Sequence, residues 1–260
     1  MASKEPQVAD PLTTLGAAAR LWRIADDVGL LKRVANFFKK KERIVVLGST
    51  GSGKTNMLDS LAAAAALVEP ISAQTRTTAT DTREILVNDR PFVVIDTPGQ
   101  QEHAPARQRV YREALAKPPV RVINVVSFGY HEYATGSADA LDRDGQPRED
   151  WLMRHRENEL LALQEWLGLL GDRSSLEWVL TAVTKADLWW DKKDEVLDYY
   201  TNGAYADALR RSDPGIQHAV LPYCSVFHRF YGKSRLPGTF DDQDRLTATR
   251  HFLEQLVVLG

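Results

Sequence analysis

A short segment near the start of the chain combines three glycines with a lysine and several hydroxyl side chains, the groups that bind phosphate in proteins. It consists of Gly48, Ser49, Thr50, Gly51, Ser52, Gly53, Lys54 and Thr55, in the pattern G-x-x-x-x-G-K-[ST]. The glycines would let backbone N–H groups surround phosphate oxygens, and a following helix would add a favourable dipole. We expect Lys54 to reach the terminal phosphates and the Thr55 hydroxyl to ligate Mg²⁺.

The residues on either side of this segment favour a strand before it and a helix after it. The apolar, mostly β-branched run Ile44–Leu47 predicts a buried strand, and the Ala- and Leu-rich residues 56–68 predict a helix. The alternative is a Gly/Ser turn that happens to precede a helix. Because strand, glycine loop and helix follow one another in the order that a phosphate-binding loop requires, the sequence predicts a nucleoside triphosphate site.

A second candidate segment carries the pattern D-x-x-G directly after an apolar run. Asp96 would end the strand 92–96, and an aspartate in that place can hold Mg²⁺, usually through a water molecule. Gly99 would allow its backbone N–H to approach the γ-phosphate closely. The pattern is weak alone, but its place one hairpin after the phosphate loop strengthens it.

A third candidate segment, Thr184-Lys185-Ala186-Asp187, closes the apolar run 177–183. The Asp187 carboxylate can accept hydrogen bonds from N1–H and the exocyclic amine of guanine, a donor pair that adenine lacks. The alkyl stem of Lys185 would lie along the purine face. A charged strand-to-helix turn without function is the alternative, but the order of the three segments favours a guanine nucleotide site.

The rest of the pattern alternates strands and helices, which predicts an α/β fold with a mostly parallel sheet covered on both faces. Strands are expected at 44–47, 84–88, 92–96, 120–127, 177–183 and 219–224, and helices at 54–68, 104–116, 151–170, 192–211 and 242–258. The turn between 84–88 and 92–96 is too short for a parallel crossover, so this pair must be an antiparallel hairpin.

Two regions lie outside that pattern. We expect residues 1–42 to form an N-terminal helical extension, in which 12–41 have apolar positions at helical spacing and Gly29 could divide two helices. A membrane-surface or partner-binding helix and an extension packed on the main domain both fit this basic segment, and the packed extension is favoured. The main domain would be 43–260, with a surface insertion at 129–150.

Taken together, the three segments resemble those of the translation-factor-like and Ras-like superfamily of P-loop GTPases, over residues 43–260. The resemblance implies a three-layer P-loop NTPase fold with a six-stranded sheet, five strands parallel and one antiparallel. It also implies GTP hydrolysis coupled to a conformational switch. Gln100 would orient the attacking water, a role for which its neighbours Gln101, Glu102 and His103 could substitute, and Lys54 and Gly99 would complete the catalytic set.

Two elements of the resemblance are less well defined in this chain. The loop after the last strand, often Ser-Ala-Lys in the family, corresponds to Cys224-Ser225-Val226, where only Ser225 agrees. The threonine that covers Mg²⁺ is assigned to Thr77, whose distance from Asp96 resembles that in ribosome- and tRNA-associated bacterial GTPases. Thr78 and Thr80 remain open.

Composition limits the partners. The formal net charge of −2 predicts no general attraction to nucleic acid or to a membrane surface. The single cysteine, Cys224, cannot form an internal disulfide, no apolar run of about 18 residues is present, and the N-terminus lacks the apolar core of a signal peptide. We therefore expect a cytoplasmic protein that binds GTP and GDP, with a protein partner contacting the switch regions or the N-terminal helices.

Two other functions remain possible from the sequence. The first is a GTP-gated binding module that hydrolyses little or no GTP. The second is an ATP-using P-loop kinase or ATPase, against which Thr184–Asp187 argues.

Overall fold

A seven-stranded sheet lies at the centre of the chain, and its order is β2-β3-β4-β1-β5-β6-β7. The computed structural model describes residues 28–66, 74–79, 82–87, 90–95, 104–133, 137–170, 176–227, 230–232 and 239–260. The strands are β1 Ile44–Leu47, β2 Gln74–Ala79, β3 Thr82–Val87, β4 Arg90–Ile95, β5 Val120–Val126, β6 Leu176–Val183 and β7 Gln217–Pro222. Strands β4, β1, β5, β6 and β7 are parallel, whereas β3 runs antiparallel to both of its neighbours.

The six predicted strands are all present, and so is the antiparallel hairpin, which is β3 and β4 with Ile85 opposite Phe92. The sheet has one strand more than expected. Strand β2 pairs with β3 at the edge of the sheet, with Thr77 opposite Arg83, in a segment for which no strand was predicted. Threonine is β-branched and favours extended backbone, so its repetition in this segment suits a strand.

The helices lie on both faces of the sheet. They are α1 Val28–Lys39, α2 Lys54–Ala66, α3 Ala104–Leu115, α4 Ser137–Ala140, α5 Glu149–Leu170, α6 Ala186–Trp189, α7 Lys193–Thr201, α8 Ala204–Ser212 and α9 Asp242–Leu259, with 3₁₀ turns at Trp190–Lys192 and Phe230–Gly232. The predicted helix 192–211 is two helices, because Gly203 has extended backbone (φ −83°, ψ −170°) between α7 and α8. Among the described residues, no helix is both long and apolar enough to cross a membrane.

Alternation along the strands divides the core into two apolar clusters. In β1, Ile44 and Val46 belong to one cluster, and Val45 and Leu47 belong to the other. The first cluster contains side chains of α1, α2 and α9, and the second contains side chains of α3, α5, α7 and α8. Because successive side chains of a strand point to opposite faces, this partition shows a sheet that is buried on both sides.

Helix α1 packs into the first cluster through side chains that are at most 3 % exposed, namely Leu30, Val34, Phe37 and Phe38. This contact agrees with the packed extension that the sequence favoured for this helix. Helix α1 begins one residue before Gly29, where the sequence allowed a division of two helices. The part of the extension before residue 28 lies outside the described residues.

The predicted surface insertion at 129–150 is in part wrong. Tyr130 and His131 are 7 % and 1 % exposed, and Ala140 and Leu141 belong to the second apolar cluster. The polar composition of this segment suggested a solvated loop, but its first residues are buried because they lie against the phosphate loop and α5.

Arg90 is the first residue of β4, and its side chain connects this strand to the segment that follows α1. Its side chain is fully buried, and its guanidinium donates to the carbonyls of Phe37 and Glu42, both at 3.0 Å. It also lies 3.3 Å from the Glu42 carboxylate and 3.8 Å from the centre of the Phe37 ring. Burial lowers the pKa of Arg90 to about 10, and the Glu42 carboxylate opposes this shift.

We predict that Arg90→Ala lowers the free energy of unfolding by about 2–4 kcal/mol, because it removes a fully buried side chain together with its hydrogen bonds to the Phe37 and Glu42 carbonyls and opens a cavity. Urea denaturation of the nucleotide-free protein measures this loss. Arg109→Ala is the matched control, since among the described residues the side chain of Arg109 pairs with Glu113 on the surface, and it should change stability by no more than about 0.5 kcal/mol. Equal stability of the two variants would show that Arg90 does not tether α1.

Candidate nucleotide-binding site

The phosphate loop connects β1 to the first turn of α2. All three of its glycines have backbone angles that other residues rarely adopt, with φ of +140° at Gly48, +79° at Gly51 and +92° at Gly53. A Cβ atom at Gly48 would lie 2.2 Å from the Val125 carbonyl oxygen, and one at Gly51 would lie 2.4 Å from the Glu132 carbonyl oxygen. The backbone of neighbouring segments therefore approaches the loop so closely that only glycine fits at these two positions.

Lys54 lies within the loop. Its side chain is buried, and the ammonium donates to the carbonyl oxygens of Gly48 at 2.8 Å and Ser49 at 3.0 Å. Thr55 follows in the first turn of α2 and is exposed. A positive charge inside a glycine-rich loop at a helix N-terminus is an arrangement that favours bound phosphate.

The segment Thr184–Asp187 contacts this loop directly. The Thr184 hydroxyl bonds the Ser52 carbonyl and the Val126 carbonyl, the latter at 2.9 Å, and the Thr184 backbone N–H also donates to Val126. Thr184 therefore joins three elements: the phosphate loop, the end of β5 and the end of β6. The predicted base-binding segment and the predicted phosphate-binding segment form one site.

Lys185 has left-handed backbone angles, φ 56° and ψ 39°, at the start of α6. Its ammonium donates to the Tyr130 carbonyl at 2.6 Å and forms an ion pair with Glu132 at 3.1 Å. Burial lowers the pKa of Lys185, while the Glu132 carboxylate opposes that shift. These contacts hold the lysine against residues 130–132, beside the phosphate loop.

Asp187 is 1 % exposed, and the Cys224 thiol shares its hydrogen between Asp187 Oδ1 at 3.4 Å and the Val226 carbonyl oxygen at 3.2 Å. Burial and the nearby Asp187 carboxylate raise the pKa of Cys224 well above its ordinary value, so the thiol keeps its proton and remains a donor. Cys224 lies in the loop after β7, next to Ser225, which is half-buried. Cys224, where this chain differs from the Ser-Ala-Lys pattern of the family, is thus a hydrogen-bond donor to the predicted guanine-binding carboxylate.

Other predicted site residues are not described in full. Asp96, Gly99, Gln100 and Thr80 lie outside the described residues. Strand β4 ends at Ile95, beside the end of β1, since Val94 pairs with Val46. Thr77 and Thr78 lie in strand β2.

Sequence reasoning missed a set of residues that surround the phosphate loop. Residues 128–133, here called the strap, follow β5 and contact both loops of the site through Tyr130, His131 and Glu132. Glu159 of α5 accepts hydrogen bonds from the strap. No local pattern could have found these residues, because His131 and Glu159 are 28 positions apart. The only hint was aromatic and charged residues at the start of an otherwise polar segment.

The fold and these loops define a P-loop nucleotide-binding domain. Residues 43–157 match the family described as 50S ribosome-binding GTPase, which covers less than half of the 260 residues. The matched part contains the phosphate loop and strands β1 to β5 but not Thr184–Asp187. A comparison with the sequences of curated proteins gives no match.

Two solved structures are similar to this chain at low identity. One is an ADP ribosylation factor-like GTP-binding protein, the small COPII coat GTPase SAR1 from Encephalitozoon cuniculi in complex with GDP, with 14 % identity and a TM-score of 0.45 over 95 % of this chain and 92 % of the other. The second is the signal recognition particle receptor SRb-GDP from Chaetomium thermophilum, with 16 % identity and a TM-score of 0.36 over 84 % of this chain and 99 % of the other. At this identity and TM-score, the two structures carry no argument, so the class of the domain is inferred from the family match and the loops.

The family match over residues 43–157 and the phosphate loop support a P-loop GTPase-like domain, and with it the binding of guanine nucleotides that the sequence predicts.

We predict that the donor at Cys224 supports nucleotide binding through Asp187. Cys224→Ser keeps an O–H donor and should change GDP affinity by no more than about threefold, whereas Cys224→Val leaves the buried carboxylate without this partner and should weaken binding about tenfold. Titration with fluorescent GDP measures both. The two variants differ in one donor at similar size, so equal affinities would exclude this role for the thiol.

Proposed function

We propose that this protein hydrolyses GTP to GDP and phosphate and acts as a Mg²⁺-dependent molecular switch. The observation that carries the proposal is the direct bond from Thr184 to the phosphate loop, which places a guanine-type segment next to the buried Lys54 ammonium. A nucleotide bound there would meet a carboxylate at its base and a positive charge at its phosphates.

Binding would use groups that the fold holds in place before the nucleotide arrives. Lys54 would exchange its two carbonyl partners, Gly48 and Ser49, for phosphate oxygens, while the loop N–H groups donate to the same phosphates. Asp187 would accept from the guanine edge, and the stem of Lys185 would cover the purine face. Ser225 would contact the base from the loop after β7.

The residues present fit Mg²⁺. Thr55 places an exposed hydroxyl beside the phosphate loop, and Asp96 directly follows the end of β4. Among the described residues, no group of three or more His, Cys, Asp or Glu side chains could form a metal cage. Mg²⁺ takes few protein ligands at phosphate sites and completes its shell with phosphates and water. Thr77 is the proposed third ligand, with Thr78 and Thr80 as the alternatives.

When bound, Mg²⁺ would neutralise charge on the phosphates. Gln100 would orient the attacking water, and the Gly99 N–H would contact the γ-phosphate. Since both residues follow β4 directly, loss of the γ-phosphate would release their segment, which is the basis of the proposed switch.

A second candidate function is a GTP-gated binding module that hydrolyses little GTP. The position of β2 favours it: this strand lies at the edge of the sheet and itself contains the candidate switch threonines Thr77 and Thr78. An edge strand offers unpaired backbone groups to an extended segment of a partner protein. The two candidates differ in whether chemistry occurs in the isolated protein.

Single-turnover hydrolysis of GTP with Mg²⁺ separates the two candidates. We expect wild-type protein to exceed the uncatalysed rate, Gln100→Ala to be about 10–100-fold slower, and GTP affinity to stay within about threefold, because a group that orients water contributes to the transition state more than to binding. Gln101→Ala is the matched control: it should keep the wild-type rate, and a loss of rate would show that Gln101 takes the place of Gln100. If wild type and Gln100→Ala both remain at the uncatalysed rate, the binding module is the correct function.

A substitution of Asp187 tests whether its carboxylate selects guanine. Asp187→Asn replaces an acceptor by a donor, so GTP affinity should fall at least about 100-fold. Xanthosine triphosphate, which has a carbonyl in place of the exocyclic amine, should bind this variant better than GTP does. Competition against fluorescent GTP measures these affinities, and effective displacement by ATP from the wild type would contradict the guanine assignment.

A further inference from the structure

A buried carboxylate on α5 lies behind the phosphate loop and takes no part in the proposed nucleotide contacts. Glu159 is 2 % exposed, and its Oε1 accepts from the backbone N–H of Ser127 at 2.8 Å and from Nε2 of His131 at 2.7 Å. The Tyr200 hydroxyl donates to its Oε2. Burial alone would raise the pKa of Glu159, but the hydrogen bond and charge of His131, with those donors, hold the pKa below its usual range.

His131 connects this carboxylate to the phosphate loop. Its ring is buried, Nε2 faces Glu159, and Nδ1 lies 3.0 Å from the carbonyl oxygen of Thr50. A carbonyl oxygen only accepts hydrogen bonds, so Nδ1 of His131 carries a hydrogen and donates to Thr50. The ring is thus fixed at both ends, on one side by the Glu159 carboxylate and on the other by the phosphate loop.

The orientation of one peptide group follows from this contact. In a trans peptide, the C=O of one residue and the N–H of the next point in opposite directions. Because His131 holds the Thr50 carbonyl on the outer side of the loop, the Gly51 N–H points to the opposite side, away from the strap. Gly51 has φ +79° and no Cβ, so sterics alone would also permit the flipped peptide.

We infer that His131, oriented by Glu159, is a positioning residue that keeps the Gly51 N–H directed at the bound phosphates. This inference rests on the proposed nucleotide binding and adds to it a residue outside the phosphate-loop pattern. The strap is held independently by Lys185, which binds Tyr130 and Glu132. Removing the contact of His131 should therefore weaken the hold on the orientation of the Thr50–Gly51 peptide while the strap stays in place.

Two variants that share one substitution separate positioning from packing. In Glu159→Gln, the glutamine amide can donate to Nε2 of a neutral His131, whose Nδ1–H still donates to Thr50, and the Ser127 N–H loses the Oε1 acceptor that it has in the wild type. In Glu159→Gln combined with His131→Phe, a ring of similar shape remains but that donor is absent, and no unpaired buried charge is created. The two proteins therefore differ mainly in the bond to Thr50.

We expect the single variant to bind GDP within about threefold of wild type and the double variant to bind about tenfold more weakly, as measured with fluorescent GDP. The ³¹P resonances of bound GDP should match wild type in the single variant and be displaced in the double variant. A packing role would lower the thermal stability of both variants and leave these two readouts equal, which would overturn the inference. Wild-type protein that fails to bind GDP would instead overturn the proposed function, and this inference with it.

A measurement on the wild type does not depend on the folding of any variant. In protein labelled with ¹⁵N at histidine, the His131 Nδ1 proton should be protected from exchange with solvent, and its resonance should shift when GDP is added. An Nδ1 without a protected proton would contradict the assignment.

Discussion

Parallel pairing of β1 with β4 and β5, and of β5 with β6, is the constraint on which the site depends. It brings the carboxyl ends of four strands to one edge of the sheet. The backbone groups beyond those ends are close together and must find partners there. Thr184 is a partner for two of these carbonyl groups. Its hydroxyl and its N–H both bond the Val126 carbonyl, and the hydroxyl also bonds the Ser52 carbonyl. These hydrogen bonds join the segment Thr184–Asp187 to the phosphate loop.

The backbone N–H groups at the start of the strap, and that of Ser127 before it, also need hydrogen-bond partners. The N–H groups of Ser127 and Gly129 donate to Glu159, and that of Phe128 donates to the Tyr200 hydroxyl. A buried carboxylate is costly unless it is paired and hydrogen-bonded, and Glu159 has both kinds of partner. The helix that crosses from β5 to β6 is in this way connected to the loop that would hold the phosphates.

Features that are defined by residues close in the chain could be predicted from the sequence, whereas features that depend on distant residues could not. The phosphate loop and the hairpin were predictable because each is defined by residues close in the chain, such as Gly48 and Lys54 or the short turn before Arg90. Strand β2 was missed because a threonine-rich segment fits both a loop and an edge strand. The burial of His131 was missed because its partner Glu159 comes from a distant helix, and polar composition suggested solvent exposure. The roles of Asp96, Gln100 and Thr77 remain predictions.

The sequence by itself determined the class of the domain, since three short segments in a fixed order carry the chemistry of a guanine nucleotide site. Only the tertiary structure decided how those segments are supported. It assigned the Cys224 thiol to Asp187, the strap to Lys185 and the His131–Glu159 pair to the Thr50 carbonyl. The physical reason is that local segments specify their own backbone geometry, whereas the partners of buried polar groups come from whichever distant elements the packing brings beside them.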